Sequence, residues 1–485
     1  MKNASMSASG RDRVVYLAAA LLIIFVAGLL VRRIFLPNPE VDVTYSDSQR
    51  PDGGNFEHVP AIATHSIAAE TTTAAATTSS YKPAPTTTSE HDAPLSHEGS
   101  QPDGTNHVEV FSKMTHDGKW FPIDFGDYGS YNPNLIPHPE DNETWYMIAQ
   151  GLQPELGAAG PRPVYSIELV CEAEYVDKKM KCKRSPISVP IASTASDHCT
   201  DSLSWFNYFI GPNDPRVFFG PDRPYITYGS ASAYTCLGQW IHDLRRLVRW
   251  NTIDALDRTQ RFFWPTELQR PPPYGGIEKN WFAFWDHHGD MYLHYDILPR
   301  RSFAKVSDDG SEISADLASY TAAHDDTCLK QYMPKLQEHE HIHQATNSLA
   351  IVMCQRSSSD CDVAANTYIF TIFHHKTYHG GHNLYEPYLM IFKNVAPFEL
   401  HALSSKPFWI SGRGRAGENW SSDPATSADQ SQMMYITSVN WKERGLNYTG
   451  YLDDELMIAF GIEDKAAGGI DVTAEQLFKA LHLCD

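Results

Sequence analysis

The segment GPNDPRVFFG, residues 211–220, sets a carboxylate and a guanidinium two positions apart. Side chains two apart on an extended strand share a face, so Asp214 and Arg216 are expected to project together. A carboxylate beside a cation can act as acid or base while a polar substrate is held. The same Asp-Pro-Arg pattern also suits a turn at the start of a strand with a structural ion pair. Other segments also set polar groups against aromatic runs: YNPNLIP (131–137), IEKNWFAFW (277–285), HIHQATNSL (341–349), HNLYEPYLMIF (382–392) and GYLDDELMIAFGIED (450–464). Together they offer amides at Asn132, Asn134 and Asn280, a cation at Lys279, an imidazole at His343 and a carboxylate at Asp464.

Two patterns that suggest metal chemistry read otherwise. Asp360-Cys361-Asp362 has the spacing of a metal-dependent transferase, but it lies in a serine-rich, cysteine-flanked stretch that reads as a loop tip. In EHEHIHQ (338–344), His339, His341 and His343 would alternate onto one face of a strand without a fourth ligand or supporting groups. Solvated or hydrogen-bonded histidines are the better reading, and no metal or other cofactor is expected. The eight cysteines form no CxxC pair, while Cys171 with Cys182, and Cys354 with Cys361, could close small disulfide loops in an oxidising compartment.

The elements that position these groups read as strands. Apolar-aromatic runs recur at 145–149, 164–171, 217–219, 225–228, 281–285, 291–297, 349–354, 368–373, 388–392, 434–438 and 455–460, separated by turn residues. The clearest hairpin is FAFWDHHGDMYLHYDI, and helices are expected only at 236–250 and, after a threonine cap, at 474–483. This predicts an all-β body over 108–485, with polar motifs every 65 to 80 residues or so suggesting propeller blades whose inner strands converge.

In front of that body, residues 14–31 form an uncharged apolar run flanked by Arg11, Arg13, Arg32 and Arg33, read as an uncleaved signal anchor behind a cytosolic tail at 1–13. Residues 32–107, rich in Thr, Ser, Ala and Pro, are expected to be a disordered stem. Sequons at Asn142, Asn419 and Asn447 favour a lumenal body. A formal net charge of -20 argues against a nucleic-acid partner. Aromatics at 12% of residues suit sugar rings, although most are expected in the core.

The motifs NPN, NDPR, KNW and GYLDD…FGIED, in this order, resemble the five-bladed β-propellers of the β-mannoside phosphorylases and, more closely, the fungal β-mannosyltransferases that look related to them, over about residues 120–475. The resemblance implies inverting transfer of mannose with a β-linked product. It implies Asp214 as acid–base, Asn132 or Asn134 with Asp464 on sugar hydroxyls, Asn280 of KNW in the substrate site, and Arg216, Lys279 and His343 near the donor phosphate. The expected partners are a nucleotide sugar such as GDP-mannose and a cell-wall or glycoprotein glycan, met in the Golgi by a single-pass type II membrane protein. A β-mannoside hydrolase or phosphorylase is the enzymatic alternative. The other alternative is a non-catalytic glycan-binding propeller in which Asp214 only pairs with Arg216.

Overall fold

A computed structural model describes residues 107–484, apart from 152–163, 251–259, 380 and 423. The expected tail, anchor and nearly all of the stem lie outside these residues. No helix among the described residues is long and apolar enough to cross a membrane.

The described body is mostly β. Apart from two short parallel pairs, its strands run mainly in five antiparallel groups, four of which open on a strand that carries or directly follows one of the polar motifs. The first group begins at Ser130–Pro137, the second at Asn213–Phe219, the third at Phe282–Trp285, the fourth at His341–Val352 and the fifth at Met434–Trp441. Strand Phe121–Asp124 pairs antiparallel with Ala466–Thr473 of the last group and parallel with Lys179–Cys182 of the first, joining N-terminal and C-terminal parts in one nine-stranded sheet.

These opening strands are held to one another by side chains. Apart from the short parallel pairing of His341–Val352 with Thr449–Tyr451, the inner edges of the opening strands lack a ladder neighbour, so their backbone groups need other partners. Buried amides supply them. Asn134 donates to Pro215 O at 2.9 Å and accepts from Val217 N at 3.0 Å. Asn440 donates to Leu135 O and Val217 O at 2.9 and 3.0 Å, and Asn347 to Val439 O at 2.7 Å. Ser348 donates to Ala283 O at 2.7 Å, bringing in the third group. Around these contacts the apolar faces of all the groups pack in buried clusters, the largest of which runs from Val110 to Phe478.

The apolar-aromatic runs expected to be strands contain them, although 164–171 is split into Val164–Tyr165, paired with Phe209–Ile210, and Glu168–Val176; the 282–296 hairpin turns where expected, with Asp286 Oδ1 accepting from His288 N and Asp290 N. The helix expected over 236–250 is absent. Leu237–Asp243 is instead a strand paired with Pro224–Ala231, followed by a short 3-10 turn at Leu244–Arg246. Its apolar residues fit both periods, and seven ladder pairs with the neighbouring strand decide the outcome. At the C-terminus only Ala474–Leu477 is helical, and Leu481–Leu483 adds a strand to Leu400–Ser404. An unexpected helix, Ala322–Tyr332, is fastened by the Cys328–Cys484 disulfide and by the buried pair Asp325–Arg301. The disulfides Cys171–Cys182 and Cys354–Cys361 form as expected, and Cys199–Cys236 accounts for the remaining two cysteines.

Candidate active site

Two of the opening strands use the same local device. In the first, the ladder with Trp145–Gly151 slips between Tyr131 and Asn134, leaving one extra residue on the opening strand. The second slips in the same way between Asn213 and Arg216 against Pro224–Ala231. The extra residue is a β-bulge, which bends the strand and re-aims a side chain. In both strands an Asn or Asp followed by proline stands at the bulge with φ in the left-handed region, +53° at Asn132 and +52° at Asp214. Asn280 and Asp464, from two further groups, share that conformation at +63° and +49°. Asn and Asp tolerate it better than other residues with a side chain. Gly461 makes room for the arrangement, since a Cβ there would stand 2.5 Å from Asn132 Oδ1.

The bulges bring the side chains together. Asn132 Nδ2 lies 3.4 Å from Asp214 Oδ1, and Lys279 Nζ lies 3.5 Å from Asp214 Oδ2. The Asp214 backbone N–H donates to Gln150 Oε1 at 3.0 Å, fixing the bulge from behind. Asn280 Nδ2 faces His343 Nε2 at 3.4 Å, and the Tyr435 hydroxyl faces His343 Nδ1 at 3.3 Å. A narrow crevice runs beside Asp214, Lys279 and Asn280.

Arg216 departs from expectation. The bulge breaks the two-residue alternation, so Arg216 does not pair with the Asp214 carboxylate. Arg216 is buried, 5% exposed, and its guanidinium donates to the backbone oxygens of Ala345, Asp214 and Pro215. It therefore supplies charge from behind the crevice and braces the bulge. Asn134 is fully buried, with its amide engaged across the inner strands, so of the two amides in NPN the structure brings Asn132 to the carboxylate. His339 is not on the strand with His341 and His343, but precedes it at φ +72°. Asp360 is exposed in the loop closed by Cys354–Cys361, and Asp362 is exposed just beyond it.

The charges have distinct states. Burial alone would raise the Asp214 carboxyl, but Lys279, Arg216 and the Asn132 amide outweigh it and hold the group below the usual carboxylate range. With 31% of its side chain exposed, Asp214 is poorly placed for burial to win. His343 goes the other way for a base: burial first, then Lys279, Lys376 and Arg216, push it down to about 3, so it is a neutral imidazole. Asp464 is raised by burial and by Asp214, and Lys376 is lowered by burial and by Lys279. The crevice thus sets the ionised Asp214 carboxylate beside Lys279 with Arg216 behind, while Lys376 and Asp464 act on the same groups from nearby, and the cations can accept an anion.

The sequence reading did not find Gln150, Lys376, Tyr385, Tyr435 or Glu168. Lys376 lies with its ammonium 5.5 Å from the Tyr385 ring centroid, in the strand Thr367–His379. The motif HHKTYH gives no sign of it, because only the pairing of that strand with His341–Val352 brings the lysine near His343. The sequons divide: Asn142 and Asn419 are exposed, while Asn447 is half-buried at φ +47°.

No family model and no curated protein matches the sequence. Among solved structures, a glycosyl hydrolase from Bacteroides ovatus aligns at TM-score 0.43 and 12% identity, covering 80% of this chain and 100% of that one. A β-1,2-mannobiose phosphorylase from Listeria innocua aligns at 0.40 and 9%, covering 76% and 98%. A mannose phosphorylase from Leishmania mexicana aligns at 0.36 and 10%, covering 73% and 86%.

Proposed function

We propose that this chain is a carbohydrate-active enzyme on a five-bladed β-propeller, transferring a mannosyl group between a phosphate-bearing donor and a sugar hydroxyl. The observation that carries the proposal is the Asp214 carboxylate, set on a bulge within 3.5 Å of Lys279 and 3.4 Å of Asn132, with further cations at Lys376 and Arg216. One ionised carboxylate serves as the acid–base. The cations receive phosphate, which needs charge-assisted donors as it attacks or leaves.

In the phosphorolytic direction, protonated Asp214 gives its proton to the glycosidic oxygen while a phosphate oxygen attacks C1 from the opposite face. The C1–O bond to the leaving sugar breaks, a C1–O bond to phosphate forms, and Asp214 is left as carboxylate. In the synthetic direction, the Asp214 carboxylate takes the acceptor's hydroxyl proton as phosphate departs. Asn132 and Asp464 hold sugar hydroxyls. Lys279 and Lys376 meet the phosphate, with Arg216 adding charge from behind. Neutral His343 and Asn280 act as hydrogen-bonding groups beside it.

Phosphorolysis of a β-mannoside is the form this site favours, because the crevice beside Asp214 is narrow and its cations suit a bare phosphate. Transfer from a nucleotide sugar such as GDP-mannose to a cell-wall or glycoprotein glycan, the form implied by the motifs, is the second reading. It is favoured by the expected anchor and stem, which suit a Golgi transferase. The full-length chain, incubated with β-mannobiose and inorganic phosphate or with GDP-mannose and β-mannoside acceptors, separates the two. Sugar phosphate appearing in the first mixture supports phosphorolysis, and chain extension only in the second supports the transferase. No turnover in either sinks the proposal. Eight cysteines paired in four disulfides support an oxidising compartment for the body, in keeping with a type II protein of the secretory pathway.

A further inference from the structure

Behind the bulge at Asp214 lies a carboxyl group that the mechanism above does not use. Glu168 opens the strand Glu168–Val176 and stands opposite Gln150 in the ladder. Gln150 is the residue whose carboxamide oxygen receives the Asp214 N–H, and its amide nitrogen donates to Ser166 Oγ. Glu168 is 1% exposed, and neither of its carboxyl oxygens has a hydrogen-bond partner among the described residues.

An unpartnered carboxylate in such a place is far costlier than an apolar side chain of the same size, so the group needs either a partner or a proton. Through Gln150, its partner in the ladder and the acceptor of the Asp214 N–H, Glu168 is set behind the Asp214 bulge, where the charges of Asp214 and Arg216 act on it and its own charge acts on the Tyr131 phenol. Asp214 repels a charge on Glu168 and Arg216 attracts one. The ionisation of Glu168 is therefore tied to the state of the two groups at the centre of the crevice.

We propose that Glu168 and Asp214 share a single proton, and that Glu168 is the positioning residue that lets Asp214 alternate between acid and base. The inference rests on the reading of Asp214 as the acid–base. Two carboxyl groups that act on one another's charge inside a protein do not both ionise readily, and such a pair titrates as a unit. In the free protein the proton resides on Glu168, whose burial raises it well above the usual carboxylate range, while Lys279 and Arg216 keep Asp214 ionised. When a phosphate takes up the charge of Lys279, Asp214 loses the partner that favoured its ionised form. Asp214 then takes a proton from solvent water at its exposed face, Glu168 gives its proton up to solvent in exchange, and the carboxylate left on Glu168 is held by the positive charge of Arg216. The total proton count is unchanged, and Asp214 is now the acid that phosphorolysis requires.

Infrared titration of carboxyl groups in the full-length chain tests this without a sugar substrate. At neutral pH the wild type should show a protonated-carboxyl band that Glu168→Gln lacks. In Asp214→Asn, with the repelling charge gone and Arg216 still present, that band should titrate with at least tenfold lower proton affinity. Adding inorganic phosphate to the wild type should shift the band as the proton passes from Glu168 to Asp214, and should produce no such shift in Asp214→Asn. A band that survives Glu168→Gln, or that titrates in Asp214→Asn within threefold of the wild type, overturns the proposal. If Glu168→Gln does not fold, the Asp214→Asn titration decides alone.

The pH–rate profile then tests the catalytic use. Glu168→Gln should move the limb that reports protonated Asp214 by at least tenfold in proton concentration, and Glu168→Asp should restore part of it. A merely structural glutamate would lower activity evenly at all pH values, and that result also overturns the proposal. Absence of glycosyl transfer in the wild type would sink the proposed function and leave the infrared result standing, so the two failures are distinguishable.

Discussion

Replacing Asn440 with leucine tests how the candidate site is held together. Asn440 is fully buried on the opening strand of the fifth group, and its amide nitrogen donates to Leu135 O and Val217 O. Those carbonyls belong to the strands that carry Asn132 and Asp214, so one side chain ties the two bulges in position. Asn440→Leu keeps the branched outline of four side-chain heavy atoms, though with bulkier methyl groups, and leaves both carbonyls without this donor. Each orphaned buried acceptor costs about 1–3 kcal/mol, or about 2–6 kcal/mol for the pair. Asn440 Oδ1 has no partner among the described residues, and removing it returns about 1–2 kcal/mol. At the midpoints of these ranges the net loss expected is about 2–3 kcal/mol. At roughly 2 cal/mol/K of unfolding entropy per residue, a body of this size loses a few degrees of Tm for such a change. Glycosyl transfer should fall further than the folded fraction, since misplacement by about 1 Å can cost on the order of a hundredfold. Calorimetry and turnover on the same preparation provide the assay. A variant that melts within about 1 °C of wild type, with full activity, would refute the idea that buried amides across the inner strand edges set the site geometry.

Two further outcomes follow from the charge states and the surface. His374 is fully buried and pushed down to about 3 by burial and by His343, whereas an unfolded histidine titrates near 6.5. Between those values the unfolded chain binds a proton that the folded chain refuses, so stability should fall as pH drops from about 6.5 toward about 3, and His374→Gln should flatten that slope in urea melts at successive pH values. If the body faces the lumen, protein from a eukaryotic host should carry glycans at exposed Asn142 and Asn419, and glycosidase treatment should increase its gel mobility; an unchanged band would count against the topology.

Much of the fold is legible in the sequence because its strands are aromatic-rich and bounded by turn residues. FAFW and MYLHYD could hardly be anything else. The misread segment, LGQWIHDLRRLVRW, places apolar residues compatible with either period, and only its neighbours in the sheet settle the matter. Within the site, Asn132, Asp214, Lys279, Asn280 and His343 were visible as polar groups beside strands, and the structure brings them together. What NDPR could not reveal is the bulge. Strict alternation puts Arg216 beside the Asp214 carboxylate, whereas one extra residue turns the guanidinium onto backbone oxygens and gives the carboxylate to Lys279. Glu168 and Lys376 were illegible because their sequence neighbourhoods are ordinary strand, and only long-range pairing carries them to the site.

The central claim is that Asp214 moves the proton during glycosyl transfer. Asp214→Asn retains the side-chain shape and removes the titrating oxygen, so single-turnover formation of sugar phosphate, or of the extended glycan, should fall about a hundredfold or more. Arg216 does not depend on the Asp214 carboxylate, since it donates to the backbone oxygens of Ala345, Asp214 and Pro215, so the melting temperature should stay close to that of wild type. A well-folded Asp214→Asn protein with near-normal single-turnover rate would contradict the account.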